Sequence, residues 1–273
     1  MTGRATALVT RADDDLGVIL AAAKAHLGPR TLFLMTSDHG AQWPFGKWNC
    51  YEAGVQVPLI VAWPGQVRPG SRSDAMVSWV DLLPTLVELA GGRPPAGIDG
   101  RSFAAVLRGT ATTHRDRIFT THSGDGDWNV YPIRAVRAGE WKYIRNLHPE
   151  FAFTTHIDLQ GNLGQRAYFR TWEDAASRSP AAAALVKRYH GRPAEELYDL
   201  SRDPEEQHNL AGDPGQAARL ASLRAEVDRW MQDQGDVGRV FGRPRLLSNP
   251  DSYGPKGPPG NAGTKAGGKK KAP

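Results

Sequence analysis

The sequence has 273 residues, of which 40% are hydrophobic and 23% charged, enough apolar content for one hydrophobic core and a small second one. Its net charge of +5 arises in an acid-free tail that holds Lys256, Lys265, Lys269, Lys270 and Lys271. Without these lysines, 29 basic residues match 29 acidic ones, which argues against a nucleic-acid-binding face. The single cysteine, Cys50, excludes a disulfide framework and a multi-cysteine metal site.

The sequence has no apolar run close to the roughly 20 residues that a membrane-spanning helix needs. Between Arg4 and Arg11 only a short apolar stretch occurs, too short for the hydrophobic region of a secretory signal. Either the protein is cytoplasmic or its natural amino terminus lies further upstream. The motifs described below favour the second interpretation.

The first part of the chain has an α/β pattern. Three acidic residues precede apolar positions at helical spacing, which predicts a helix of about four turns from Asp13 to Leu27. The continuous apolar run 31–36 predicts a strand buried on both faces of a parallel sheet, and 57–63 predicts a second buried strand. A further helix is predicted over 81–90, ahead of two glycines.

The second part has an antiparallel pattern, with a predicted hairpin turn at Gly139-Glu140 and an amphipathic helix over 216–231. The segment 148–192 mixes aromatic and polar residues without a period and is interpreted as an irregular insertion. Strands are predicted at 117–121, 133–138 and 141–146.

These patterns predict three domains or segments. An α/β core covers 1–110, and a subdomain with a small antiparallel sheet and a packed helix covers 111–240. Residues 241–273 are rich in Gly, Pro and Lys, and such a segment buries too little apolar surface to offset its ordering entropy. We therefore expect a disordered basic tail.

Polar residues follow the first predicted strand, at the edge where an open parallel sheet usually binds its ligand. Asp38 and His39 stand side by side there, and a carboxylate next to an imidazole is a candidate pair of metal ligands. An isolated Asp-His pair is more often a loop cap beside a surface histidine. The pair therefore needs support from its context.

Lys47 supplies that context, nine residues after Asp38. A lysine beside a divalent metal is suited to hold a tetrahedral oxyanion, because it places positive charge next to a sulfate or phosphate oxygen. Lys47 is therefore predicted to be a catalytic and substrate-binding residue. His122 lies in the glycine-rich loop 121–128 and is a second substrate-binding candidate, against the simpler alternative of a solvated loop.

The sequence resembles the sulfatase family in ordered blocks between residues 13 and 235. Within that family the short spacing from Asp38 to Lys47 and the long stretch before Glu196 resemble the heparan N-sulfatase (sulfamidase) branch. The blocks that carry the resemblance are Thr36-Ser37-Asp38-His39-Gly40, Tyr51-Glu52-Ala53-Gly54, Val57-Pro58-Leu59-Ile60-Val61, Asp81-Leu82-Leu83-Pro84-Thr85-Leu86, Asp99-Gly100-Arg101-Ser102-Phe103, Tyr131-Pro132-Ile133-Arg134 and Glu196-Leu197-Tyr198-Asp199-Leu200.

The resemblance implies a partial alkaline-phosphatase-like parallel-sheet core followed by a small carboxyl-terminal antiparallel sheet with a packed helix. It implies hydrolysis of a sulfate ester or sulfamate in a sulfated small molecule or glycan, such as one containing N-sulfoglucosamine. The implied cofactor is Ca²⁺, with Asp38 and His39 matching two of its ligands and two carboxylates from an earlier strand completing the set. Lys47 matches the basic residue that contacts the sulfate.

The sequence departs from the family at the nucleophile. Sulfatases use a formylglycine made from the Cys or Ser of a Cys/Ser-x-Pro-x-Arg motif, and this sequence contains none. Ser248 and Pro250 begin such a pattern, but Ser252 stands where arginine is required. Cys50 is interpreted as a small buried apolar residue. We therefore expect a carboxyl-terminal fragment that is inactive alone and needs an amino-terminal sulfatase segment as its partner.

Two alternatives stay open. A phosphoryl or phosphonyl hydrolase of the same superfamily would carry a Thr or Ser nucleophile and a second metal site upstream. A non-catalytic remnant or binding module would be favoured if the DNA upstream encoded no nucleophile motif.

Overall fold

The structure is a computed structural model that describes residues 3–159 and 164–253. Its residues divide into two compact units, Met1–Asp38 with Pro58–Asp116 and His39–Val57 with Arg117–Pro273. The first unit thus ends at Asp116 rather than at residue 110, and 39–57 groups with the second unit. The helices and strands are α1 Gly3–His26, β1 Phe33–Thr36, α2 Glu52–Val55, β2 Leu59–Ala62, α3 Leu82–Leu89, α4 Ala104–Leu107, β3 Arg117–His122, β4 Ile133–Ala138, β5 Trp141–Asn146, α5 His156–Leu159, α6 Gly164–Ala176, α7 Pro180–His190, β6 Glu195–Asp199 and α8 Ala217–Asp233.

The sheet of the first unit differs from the prediction. β1 and β2 pair antiparallel, with Phe33 opposite Ala62 and Thr36 opposite Leu59. The predicted parallel arrangement is wrong for this pair, because the connecting chain returns to the end of β1 that it left. The strands are also not fully buried, since all of β1 is half-buried and Ile60 in β2 is 55% exposed. A continuous apolar run reveals a strand but not the direction of its partner.

Helix α1 is longer than predicted. It begins at Gly3 rather than at Asp13, because the residues between them include alanine, leucine and arginine, which favour helix. Its apolar side chains are largely in solvent, and Val18 and Ile19 are each more than half exposed. Among the described residues, no helix is both long and apolar enough to cross a lipid bilayer.

Helix α3 confirms the helix predicted over 81–90, and Asp81 anchors its start. The Asp81 side chain is fully buried and accepts backbone hydrogen bonds from Ser78 (3.0 Å) and Arg101 (2.8 Å). The Arg115 guanidinium contacts both of its oxygens, and His114 Nε2 lies 3.1 Å away. Burial opposes ionisation, but these hydrogen bonds prevail and lower the pKa of Asp81 to about 2.

The second unit is built on a four-stranded antiparallel sheet in the order β3-β4-β5-β6. Its first three strands and the hairpin between β4 and β5 confirm the prediction. Gly139 closes the hairpin with a φ of 59°, a left-handed conformation that glycine adopts without strain. Helix α8 packs on one face of the sheet, as predicted, through Leu223 and Val227 against Val136 and Tyr143.

The segment 148–192 is not irregular as predicted, because it contains α5, α6 and α7. These helices cover the other face of the sheet, where Phe169 and Tyr189 join the core that also contains the fully buried Cys50. Burial raises the pKa of the Cys50 thiol, and the interpretation of Cys50 as a buried residue is confirmed. The helices escaped prediction because Ser179 caps α7 and Pro180 begins it, so no apolar period runs through both α6 and α7.

The predicted disordered tail falls partly within the described chain. Ala152 N donates to Arg245 O (2.7 Å) and Leu247 N donates to Glu150 O (3.0 Å), so these tail residues lie alongside 150–152. Residues 254–273 lie outside the described residues.

We predict that Asp81→Asn lowers the free energy of unfolding of the first unit by about 3 kcal/mol, because it leaves the Arg115 cation without its buried counter-charge. The deficit should shrink as pH falls from about 4 to about 2, where the wild-type carboxyl gains its proton and loses the same stabilisation. Denaturant unfolding at several pH values measures both effects. Asp74→Asn, at an exposed carboxyl, is the matched control and should change little.

Candidate functional site

The sequence-predicted site residues fall in different parts of the structure. Asp38 is exposed and is the last residue of the first of the two chain segments that form the first unit, just after β1. His39, Lys47 and His122 belong to the second unit. The ring of His39 is half-buried, and its Nδ1 lies 2.7 Å from Gly40 O. A carbonyl only accepts, so the proton of the neutral imidazole resides on Nδ1.

The loop 39–57, which carries His39 and Lys47, packs on its own backbone without room for side chains at three positions. A Cβ at Gly40 would lie 1.9 Å from Ala53 O, and one at Gly46 would lie 2.1 Å from Ala41 O. At Gly54 the corresponding distance, to Gly46 O, is 2.4 Å. Only glycine permits this close approach, so the loop has a single compact form.

Hydrogen bonds fix Lys47 within the loop. Lys47 N donates to Ala41 O (2.9 Å), and the buried Asn49 side chain donates to Gly46 O (3.1 Å) and Lys47 O (3.3 Å). Asn49 Oδ1 in turn accepts a hydrogen bond from Arg192. The backbone of Lys47 is therefore held on both sides before any ligand arrives.

Arg192 is a buried cation in the aromatic core of the second unit. Its guanidinium carbon lies 3.7 Å from the ring centre of Phe153 and 5.2 Å from that of Tyr51, distances that give cation–π attraction. Nε and Nη2 have no hydrogen-bond partner among the described residues. Asn49 is thus the polar link between this cation and the loop.

Two residues beside Lys47 have strained backbones. Phe45 and Trp48 have φ values of 64° and 68°, in the left-handed region that bulky residues rarely adopt. Both side chains are packed, Phe45 against the aromatic core and Trp48 at 7% exposure. Strain of this kind persists where the surroundings hold it, and it is common at functional sites.

Lys47 stands at the end of a stack of aromatic rings. Its Nζ lies 5.0 Å from the ring centre of Trp48. The Trp48 ring stacks on His156 (5.3 Å between centres), and His156 stacks on Trp128 (4.3 Å). The stack joins three segments that are far apart in sequence.

Asp125 lies at the edge of this stack. Its Oδ2 accepts a hydrogen bond from Trp48 Nε1 (2.6 Å) and lies 3.6 Å from His156 Nδ1. Burial lowers the pKa of His156, the Asp125 carboxylate partly offsets this, and the Lys47 charge lowers it further. The imidazole is therefore neutral near pH 7. Sequence reasoning missed both Asp125 and His156, because no local pattern marks residues whose partners are so distant.

His122 is linked by hydrogen bonds to the loop that carries Asp125. At the end of β3 its Nε2 donates to Asn129 Oδ1 (2.8 Å), and Asn129 Nδ2 donates to Thr154 O (2.8 Å). Burial lowers the pKa of His122, partly offset by its bond to Asn129. His122 is therefore neutral near pH 7 and supports the loop that carries Asp125.

A cluster of buried charges anchors the carboxyl end of loop 39–57. Glu52 accepts hydrogen bonds from Lys142 Nζ (2.6 Å) and Arg137 Nη1 (2.5 Å), and its own backbone N donates to Glu206 Oε2 (2.6 Å). Burial raises the pKa of Glu206 to about 7, although the nearby Lys142 charge opposes the rise. Glu206 is thus half-protonated near neutral pH.

His39, Lys47, His122, Asp125 and His156 lie within the interval 39–162, which matches a family model described as "N-sulphoglucosamine sulphohydrolase, C-terminal". The chain is also 31% identical over 221 residues to an ulvan-active sulfatase of Formosa agariphila, covering 80% of this chain and 41% of that protein. The chain belongs to the sulfatase family. The resemblance predicted from the sequence motifs is confirmed, including the N-sulphoglucosamine sulphohydrolase branch that the matched model describes.

Further sulfatases are similar over the same part of the chain. Human N-sulphoglucosamine sulphohydrolase is 30% identical over 244 residues, covering 84% of this chain and 47% of that protein. A solved 2-O glycosaminoglycan sulfatase is 26% identical with a TM-score of 0.57, covering 79% of this chain and 40% of that one. The chain thus spans less than half the length of the curated sulfatases it matches.

Sulfatases typically use Ca²⁺. Within residues 3–159 and 164–253, no group of three or more His, Cys, Asp or Glu side chains is arranged to hold a metal ion. Asp38 and His39 supply at most two protein ligands, whereas calcium takes six to eight, mostly oxygen. The described residues therefore do not by themselves fit a calcium ion.

We predict that Glu206→Gln changes the pH dependence of stability of this sulfatase chain. The folded pKa of Glu206 is about 7, above the usual value of 4.5, so its stabilising contribution is present below pH 4.5 and lost as pH rises through 7. Wild type should lose about 3 kcal/mol more than Glu206→Gln between these limits. Denaturant unfolding measures the difference, and Glu205→Gln, at an exposed carboxyl, should behave as wild type.

Proposed function

We propose that this chain is the carboxyl-terminal part of a sulfatase that hydrolyses sulfate esters or sulfamates of a glycan, such as one bearing N-sulfoglucosamine. The observation that carries the proposal is the fixed position of Lys47 in a strained, glycine-closed loop inside the family-matched interval. The N-sulfated and 2-O-sulfated substrates named for the relatives indicate the class of compound to test.

In the proposed reaction Lys47 contacts a sulfate oxygen. As the nucleophile of the proposed amino-terminal segment bonds to sulfur and the bond from sulfur to the leaving oxygen or nitrogen breaks, negative charge shifts onto the leaving atom. The Lys47 ammonium would stabilise the charge on the sulfate oxygen that it contacts. The hydrogen bonds to the Lys47 backbone hold the base of this side chain in the loop. In this proposal His122 contributes to substrate binding by supporting, through its hydrogen bond to Asn129, the loop that carries Asp125.

Asp38 and His39 stay proposed as two metal ligands. In this proposal their carboxylate and imidazole are completed by donors that the described residues do not provide, and calcium when bound would supply positive charge next to the sulfate. The role given to Lys47 does not depend on the metal.

Two alternatives remain beside this proposal. Lys47 would suit a phosphoryl or phosphonyl group equally well, since both are tetrahedral oxyanions. A non-catalytic binding module would be favoured if the DNA upstream encoded no Cys/Ser-x-Pro-x-Arg motif. Activity measurements separate these alternatives from a sulfatase.

We predict that the purified chain does not hydrolyse an aryl sulfate, with or without calcium and with or without a formylglycine-generating enzyme, because its sequence provides no nucleophile motif. Co-expression with a segment encoded upstream that carries the motif and paired aspartates should give calcium-dependent hydrolysis. Sustained turnover by the chain alone would contradict the proposal, and preferential hydrolysis of a phosphonate monoester by the pair would favour the phosphonyl alternative.

We predict that Lys47→Ala weakens binding of inorganic sulfate to the chain by about tenfold, the loss expected for one charge-assisted contact. Chemical-shift titration followed by NMR measures the dissociation constant even when binding is weak. Lys187→Ala, which removes an exposed lysine from α7, is the control for the change in net charge. Equal affinity in Lys47→Ala and wild type would rule out Lys47 as the sulfate contact.

A further inference from the structure

The stack beside Lys47 exposes polar groups and buries apolar ones. The indoles of Trp48 and Trp128 are only 7% and 8% exposed. The side chain of Asp125, in contrast, is 45% exposed and that of His156 is 23% exposed. The accessible edge of the stack therefore offers a carboxylate and an imidazole next to the half-buried Lys47 cation.

We infer that Asp125 and His156 form a subsite next to Lys47 that binds the hydroxyl groups of the sugar ring whose sulfate Lys47 holds. This inference rests on the proposed function and adds to it two residues, Asp125 and His156, that would bind the sugar ring.

The carboxylate of Asp125 is fixed and still able to accept hydrogen bonds. The Trp48 indole occupies one acceptor position of Oδ2, whereas a carboxylate offers about four. Hydrogen bonds from sugar hydroxyls to an ionised carboxylate are charge-assisted and strong. Because the indole bond orients the group in advance, little side-chain freedom is lost when a ligand binds.

The ring of His156 is likewise oriented before binding, by the indoles on its two faces. Its Nδ1 is buried and has no hydrogen-bond partner among the described residues, so the exposed part of the ring lies on its other atoms. A neutral imidazole offers one donor and one acceptor. Because Nδ1 is buried, only Nε2 can reach a ligand, and a hydroxyl group can either accept from it or donate to it. The neutral ring also adds no second cation to compete with Lys47 for the sulfate.

The combination selects for a ligand with two kinds of group. The Lys47 cation attracts the sulfate, and the Asp125 carboxylate repels a second anionic group but accepts from hydroxyls. An alkyl sulfate would contact Lys47 but would displace water from the Asp125 carboxylate without replacing the hydrogen bonds that the water made. This loss lowers its affinity. A sugar sulfate satisfies both.

The test compares three probes against the purified 273-residue chain: glucose 6-sulfate, cyclohexylmethyl sulfate and inorganic sulfate. The two organic probes share charge and ring size, but only the first carries ring hydroxyls. NMR titration should show glucose 6-sulfate binding about tenfold more tightly than cyclohexylmethyl sulfate, since one charge-assisted hydrogen bond accounts for such a factor.

Two variants locate the effect. Asp125→Asn keeps an acceptor for the Trp48 indole but removes the charge, and His156→Phe keeps a flat ring in the stack but removes its nitrogens. Each should reduce the preference for glucose 6-sulfate over cyclohexylmethyl sulfate at least about threefold. Asp127→Asn, at an exposed carboxyl of the same loop, is the control and should keep the full preference.

Equal binding of the two organic probes in wild type, or an unchanged preference in both variants, would overturn the subsite and leave the role of Lys47 intact. A preference that needs Asp125 and His156 and persists in Lys47→Ala would support the subsite and instead refute the sulfate contact. Failure of all three probes to bind would overturn both.

Discussion

Loop 39–57 depends on backbone packing that leaves no space for a methyl group. At Gly40, Gly46 and Gly54 a carbonyl oxygen stands where a Cβ atom would be. This packing brings Ala41 O to the backbone N of Lys47 and forces Trp48 into a left-handed conformation. The position of the Lys47 backbone, and of the residue Trp48 at which the aromatic stack begins, therefore depends on the close approach of the backbone.

Buried charges hold this loop near its middle and toward its carboxyl end. Near its middle, Asn49 takes a hydrogen bond from the buried Arg192, and at its end Glu52 lies between Lys142 and Arg137. Ion pairs that are buried add little net stability compared with apolar packing, but an arrangement that breaks them is strongly disfavoured. Their contribution here is to make alternative positions of the loop costly, which is what a pre-organised cation requires.

Local patterns explain which parts of this structure could be predicted. Strands β4 and β5, their turn at Gly139 and helix α8 were predicted because each is signalled within its own residues. The direction of β1 relative to β2 depends on where the intervening chain returns, and the short helices of 148–192 are separated by a capped start at Ser179. No window of sequence contains that information.

The candidate site also contains residues that local sequence patterns predict and residues that only tertiary packing brings together. Asp38 and His39 were predicted because they follow a predicted strand, and Lys47 because it stands nine residues after Asp38 in a sequence that resembles a family. His156 and Asp125 meet only through tertiary packing, 31 positions apart in a sequence that gives no period for either. Sequence patterns thus predicted Asp38, His39 and Lys47, whereas the structure was needed to find Asp125 and His156.

Cys50 lies next in sequence to Asn49 and is 1% exposed, with a thiol whose ionisation burial disfavours. A thiol reagent reacts with the thiolate and needs access to it, so the folded second unit protects this group. Because the sequence contains one cysteine, each modification event would record one opening of the core beneath loop 39–57. The rate of thiol modification in the folded chain, divided by the rate in an unfolded chain, therefore measures how often this core opens.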